Sequence, residues 1–260
     1  MHRVKSFLVV IAILWSAVGA LLHAQERIPV GTVVAIVLDQ SLESRKLRPG
    51  ERVAAYIAQD VPLADKRSIR ARSKVFGEVT RVQNGDGVAT LGLRFVRIET
   101  GKEQLMISAK ARAMAGPLVV NGAGTPTNFF LGTSRSGLTT RQVGDDVVYG
   151  ADGPVENEKG QVVGKSVSGG VLVTISNPPG SSCVGMPLSA SPQPTWVFAA
   201  SACGVYGFGR FQLENGKDAS AGEILITKRN RYEYQHADVK LPRGTAFLLA
   251  ITDAPAPPVP

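Results

Sequence analysis

From Ile28 to about Ala115, apolar positions come in short runs, each closed by a turn signal. Residues 32–38 (TVVAIVL) form a β-branched run of strand length. Residues 52–58 follow a Pro49-Gly50 turn signal. Residues 73–82 alternate apolar with polar apart from Phe76, the period of a half-buried strand. A strong turn at Asn84-Gly85-Asp86-Gly87 leads into residues 89–98, which alternate again with Leu91, Leu93 and Phe95 on one face. Glu99-Thr100-Gly101-Lys102 then turns the chain into a strand at 104–111. Strands at this spacing, with no convincing helix between them, predict a barrel or sandwich.

Residues 116–145 change character. Gly, Thr, Ser and Asn dominate, periodicity fades, and the stretch reads as a connection lying against a surface through Phe129, Phe130 and Leu131. A second β-rich segment runs from Asp146 to about residue 235. Its clearest strand is 171–175, closed by Asn177-Pro178-Pro179-Gly180, and further strands are expected around 211–213 and 223–227. The Pro-rich tail, residues 255–260, suits an extended and solvated end.

One signature stands at both ends of the chain. IPVGTVVAIV begins at Ile28 and LPRGTAFLLA begins at Leu241: apolar, Pro, any residue, Gly, Thr, then strand formers. Proline lacks an N–H and suits the first position of a strand, while glycine permits the tight bend before it. Two strands opened alike at opposite ends suit neighbours in one sheet, where their pairing removes two edges. The expected fold is all-β, with a β-barrel built from residues 25–115 and completed by 236–254. A connection at 116–145 leads to a second β-rich module, 146–235, inserted between them. Two consecutive domains with ordinary strand starts are the other arrangement the pattern allows.

The N-terminus bears on compartment. His2, Arg3 and Lys5 form a short basic region, an apolar stretch follows from Phe7 to Leu22, and His23-Ala24-Gln25 turns polar. That is the layout of a secretory signal peptide, residues 1–24. Its apolar run of about 16 residues falls short of the roughly 20 that span a bilayer as a helix. Cleavage after Ala24 and cleavage near Val18-Gly19-Ala20 are both compatible with the pattern, and no nearby cysteine marks a lipoprotein. No later segment is apolar enough to cross a membrane as a helix, so a periplasmic or secreted protein is expected, with no transmembrane segment in the mature chain. The two cysteines, Cys183 and Cys203, should then pair in an oxidising compartment. Closing a loop of about 20 residues stabilises by roughly 3 kcal/mol in the chain-entropy model.

The formal net charge is +8, of which Arg3 and Lys5 lie in the leader. The remaining basic residues are scattered apart from small clusters at 66–72 and 228–231, which does not make a nucleic-acid footprint. For an exported protein the anions at hand are lipid headgroups, envelope polysaccharide and peptidoglycan.

The N-terminal third also carries an ordered set of short motifs: Ile28-Pro29-Val30-Gly31-Thr32, the turn Leu47-Arg48-Pro49-Gly50-Glu51-Arg52, Ala58-Gln59-Asp60-Val61, and Ser73-Lys74-Val75-Phe76-Gly77-Glu78-Val79. This resembles the C-terminal β-barrel of TrbI-type scaffold proteins of conjugation and type IV secretion machines, and related exported barrel proteins of unknown role. In that family the barrel runs from an IPAGT-like strand through a PG turn to an IP-x-GS strand. Here Ser68-Ile69-Arg70-Ala71-Arg72-Ser73 stands in the last place, so its proline and first glycine are missing. The cytoplasmic segment, transmembrane helix and long Pro-rich linker of the secretion scaffolds are not expected from this sequence either. The resemblance implies a barrel fold more than a secretion role, and it covers about a third of the chain.

Candidate chemistry is sparse, and no catalytic residue, metal site or cofactor is assigned. After the leader the sole histidine is His236. It has Asp238 nearby for a Ser-His-Asp arrangement, but no Gly-x-Ser-x-Gly elbow is present. Asp145, Asp146, Asp152, Glu156 and Glu158 form an acidic cluster without EF-hand spacing, so alanine at Asp146 and Asp152 should remove no activity. The glycines at 204, 207 and 209 lack a P-loop lysine and read as bends. The aromatic set Trp196, Phe198, Tyr206 and Phe208, with Phe211, could instead form a ligand platform or simply a small β core. The expectation is an exported, non-catalytic cell-envelope β protein that binds an envelope protein or polysaccharide. A carbohydrate- or peptidoglycan-binding module using the Trp196 cluster, and an envelope hydrolase with carboxylate catalysis, are the alternatives.

Overall fold

The computed structural model describes residues 28–63, 67–123, 138–149, 154–167, 170–216 and 222–252. The segment expected to be a leader, Phe129 to Leu131, Asp152 and the Pro-rich tail lie outside the described residues. The chain is all-β. Its first strands are β1 (Val33–Leu38), β2 (Leu42–Glu43), β3 (Arg52–Ile57), β4 (Val61–Pro62) and β5 (Ser68–Ile69). Next come β6 (Lys74–Asn84), β7 (Val88–Thr100), β8 (Glu103–Met106), β9 (Ala109–Ala115) and a short helix α1 (Pro117–Gly122). Then follow β10 (Leu138–Gln142), β11 (Asp145–Tyr149), β12 (Pro154–Asn157), β13 (Val162–Val167), β14 (Gly170–Val173) and β15 (Gln193–Thr195). The last are β16 (Gly204–Tyr206), β17 (Phe211–Asn215), β18 (Ile224–Arg229), β19 (Lys240–Leu241) and β20 (Ala246–Ile251).

The duplicated signature resolves into one symmetric device. β1 and β20 pair antiparallel from Val33↔Ala250 to Val37↔Ala246. The Gly31 amide donates to the Ile251 carbonyl at 2.9 Å, and the Gly244 amide donates to the Leu38 carbonyl at 3.0 Å. Each Pro-x-Gly-Thr turn therefore caps the far end of the other strand. The turns match internally too: the Thr32 amide donates to the Pro29 carbonyl and the Thr245 amide to the Pro242 carbonyl, both at 3.1 Å. Both glycines sit at positive φ, 77° and 89°, where a side chain is strained.

Those two strands lie within a ten-stranded sheet of order β16-β9-β20-β1-β3-β6-β7-β18-β17, with β8 on β7. One face gathers a core of Val34, Ile36, Leu38, Leu91, Leu93, Phe95, Phe247 and Leu249, among others. The sheet is strongly curled. Phe95 and Phe247 stand on strands four places apart in that order, a separation of about 19 Å in a flat sheet at about 4.8 Å per strand. Their ring centroids are 5.9 Å apart.

The expected barrel is not closed by a main-chain ladder. Among the described residues the seam is made by β16, parallel to β9 at Ala113–Ala115, and then by a side chain. The Asn215 carboxamide accepts from the Ala111 amide at 2.7 Å and donates to the Ala111 carbonyl at 3.0 Å. It supplies one donor and one acceptor, as a neighbouring strand would.

β10 to β15 form a six-stranded antiparallel meander in sequence order. The inserted region does not stay together as 146–235: β10 begins within the stretch expected to be connection, and β16, β17 and β18 leave for the large sheet. A second core joins the sheets, with Val147, Val155, Val171, Val173 and Phe198 against Val33, Ala35, Val37, Ala113, Ala246 and Leu248. This is why β1 and β20 carry unbroken apolar runs, buried at every position: alternate residues face alternate cores. β6 has only one covered face and keeps the two-residue alternation over Val75 to Val79. The Gln193 side chain ties the sheets by accepting from the Val33 amide at 2.7 Å.

Arg72 has a φ of 70°, in the left-handed region that favours glycine. Its guanidinium carbon lies 3.9 Å from the Tyr56 ring centroid. This cation–π contact partly offsets the cost of that conformation.

Candidate functional site

β18 ends at Arg229, and the chain then makes a compact loop over residues 230–237. The turn between β6 and β7 holds it. The Asn230 amide donates to the Gly87 carbonyl at 2.7 Å, the Gly87 amide to Gln235 at 2.9 Å, and the Ala237 amide to Gly85 at 3.0 Å. The Asn230 side chain adds a bond to the Gln235 carbonyl at 2.8 Å. His236 Nδ1 meets Asp86 Oδ1 at 2.6 Å, and Arg45 Nη2 donates to the His236 carbonyl at 3.1 Å. Gly87 is needed here: a Cβ on it would lie 2.9 Å from the Glu233 Cα. The sequence signal Asn-Gly-Asp-Gly thus makes a hairpin turn and also docks a loop more than 140 residues away.

On this anchored loop Tyr232 and Tyr234 stack, with centroids 5.5 Å apart and planes inclined by 21°. They are 45% and 77% exposed. The Arg231 guanidinium carbon lies 5.6 Å from the Tyr232 ring centroid. Arg45, Arg210 and Arg229 stand exposed around the loop, the last two tied where the Arg229 amide donates to the Arg210 carbonyl at 3.0 Å. None of these four arginines is in an ion pair with a described residue. Two aromatic faces are therefore held in water, stacked and pre-positioned, beside cations with free donors. Rigid rings of this kind lose little side-chain freedom on contact with a ligand.

The aromatic residues expected to form a platform do not share a surface. Phe198 is 1% exposed and belongs to the second core, against which Trp196 and Tyr206 also pack. Phe208 packs on the first core and against Phe211, with centroids 5.0 Å apart. The Tyr206 hydroxyl is engaged by the Cys203 amide and carbonyl, each at 3.1 Å. Strand alternation groups residues on one strand, but these come from segments packed on different cores.

Cys183 and Cys203 form a disulfide, with Cα atoms 6.0 Å apart. It closes the loop after β14 over Arg112, whose side chain is 1% exposed. Arg112 sits at a β-bulge against β20. Its guanidinium donates to Asn177 Oδ1 and to the Ser176 carbonyl, while Nε has no partner among the described residues. Burial pushes its pKa below the ordinary arginine value.

The groups of a Ser-His-Asp arrangement are kept apart. His236 faces Asp86, whereas Asp238 is buried and accepts from Ser44 Oγ at 2.9 Å. In the acidic cluster, Asp145 and Asp146 lie in β11 and Glu156 in β12, and Asp152 is outside the described residues. No three His, Cys, Asp or Glu side chains among the described residues converge as metal ligands. No described helix is long and apolar enough to cross a membrane. The tyrosine pair was legible only as the alternation Arg231-Tyr232-Glu233-Tyr234, within a stretch that otherwise reads as a small basic cluster. The chain matches no family model, and no curated protein or solved structure is significantly similar to it.

Proposed function

We propose that this chain is an exported, non-catalytic cell-envelope protein that acts by binding, with Tyr232 and Tyr234 at the centre of its contact surface. The observation that carries this reading is the stacked, exposed tyrosine pair on a loop pinned from both sides. Aromatic rings held in water on a preformed support suit a recognition surface, since their contact area becomes useful only when a partner covers it. The disulfide is in keeping with an oxidising compartment.

The test is fractionation of cells expressing the full chain or its Tyr232→Ala/Tyr234→Ala variant. The wild type is expected in the envelope fraction. The variant should shift to the soluble exported fraction with a nearly unchanged melting temperature, because neither ring belongs to a buried core. Equal retention of the two proteins, or retention of both in the cytoplasm, refutes the proposal.

A further inference from the structure

We infer that the partner of this surface is a carboxylate-bearing polysaccharide. The inference rests on the binding role proposed above and names the ligand class. Three features combine. The exposed Tyr234 ring offers a flat apolar face of the kind on which a pyranose ring stacks, with its hydroxyl free for the sugar's polar rim. Cations stand at both ends of the loop: Arg229 and Arg210 where it leaves β18, and Arg45 where it returns at His236. Arg231 lies between them, against Tyr232. Guanidinium groups have the fork geometry that takes a carboxylate through two hydrogen bonds. With no carboxylate among the described residues paired to these four, they remain available for ligand carboxylates.

The acidic groups of the same surface are mostly engaged. Asp86 is held by His236, and Asp238 lies buried against Ser44 with Lys240 Nζ 3.7 Å from its other oxygen. Glu233 remains on the loop between the two tyrosines. A polymer that follows the loop and stacks on Tyr234 would therefore meet positive charge on either side. Single-stranded nucleic acid offers phosphates and rings too, but its readers stack successive bases on separate aromatic side chains along a groove. Here the two rings are stacked on each other and act as one short platform.

Binding of the disulfide-bonded chain to polygalacturonate oligosaccharides, followed by titration calorimetry, tests the inference. The same oligosaccharides with methyl-esterified carboxyls keep the ring and remove the charge. We expect the ester to bind roughly tenfold more weakly or worse, as the loss of charge-assisted bonds requires. Tyr234→Ala should weaken polygalacturonate binding by about tenfold. Arg229→Gln/Arg231→Gln should remove most of the discrimination between acid and ester, and salt should weaken the wild-type affinity.

Equal binding of acid and ester overturns the inference, as does tighter binding of an oligothymidylate than of polygalacturonate. Unchanged affinity in Tyr234→Ala overturns it as well. If neither oligosaccharide binds while envelope retention still depends on the tyrosines, the ligand class falls and the binding role stands. If retention is also indifferent to the tyrosines, both fall.

Discussion

Replacing Asn215 by alanine should open the seam of the large sheet. The carboxamide makes two hydrogen bonds across the gap, at 2.7 and 3.0 Å, to the amide and carbonyl of Ala111. Ala111 is 2% exposed, so water cannot readily replace the lost partners. Each bond has a net worth of about 1 kcal/mol, and a buried backbone group left unpaired costs roughly 1–3 kcal/mol. Because the side chain itself is only partly buried and some relaxation will follow, the expected loss is about 2–4 kcal/mol. Asn215→Asp should fail to rescue it, since a carboxylate still accepts from the amide but places a second acceptor against the carbonyl. The assay is urea unfolding followed by tryptophan fluorescence, with hydrogen exchange read at the Ala111 amide. A loss below about 0.5 kcal/mol, with Ala111 protection unchanged, would show that the side chain is not what holds the two ends of the sheet together.

Arg72→Gly relieves a strained backbone costing about 1 kcal/mol or more but loses the contact with Tyr56, worth roughly 0.5–1 kcal/mol. Thermal melts should find it at least as stable as wild type, with Arg72→Ala, which keeps the strain and loses the contact, below both. The paired glycines should respond unequally. A Cβ on Gly31 would lie 2.2 Å from the Leu188 carbonyl carbon, whereas one on Gly244 meets only the Pro117 side chain at 3.4 Å. Gly244→Ala is expected to cost about 1 kcal/mol in denaturant titrations and Gly31→Ala several times that, or to prevent folding. Arg112→Lys keeps the charge but loses the fork that reaches Asn177 and Ser176 together, so it should destabilise by roughly 1–3 kcal/mol. Burial lowers the Arg112 pKa, so the unfolded chain holds that proton more tightly. The cost of burying the charge is therefore present wherever arginine is protonated and is relieved only at strongly alkaline pH. Stability profiles of wild type and Arg112→Met between about pH 5 and 9 should run parallel, and a step in the wild type alone would contradict this.

Much of the architecture was written locally. The unbroken apolar runs at the two ends and the alternation in residues 73–98 follow directly from how many faces each strand buries. The repeated Pro-x-Gly-Thr turn pointed to β1 and β20 as neighbours because such a turn bends, then starts a strand, and two such strands suit one ladder. What local pattern could not carry was the choice of partner for the middle of the chain. Phe211–Asn215 and Ile224–Arg229 read as ordinary strands, and nothing in their composition said that they would extend the large sheet instead of the meander.

The proposed contact surface shows the same division. The sequence by itself determined that charged and aromatic residues alternate at 231–234, that a tight turn stands at 84–87, and that two cysteines were available to pair. Only the tertiary structure decided that the turn and the loop meet, and that the tyrosines stack in solvent while Trp196, Phe198, Tyr206 and Phe208 are divided between two cores. The physical reason is range: periodicity and turn chemistry act over a few residues, whereas exposure is set by whichever distant segment packs against each face.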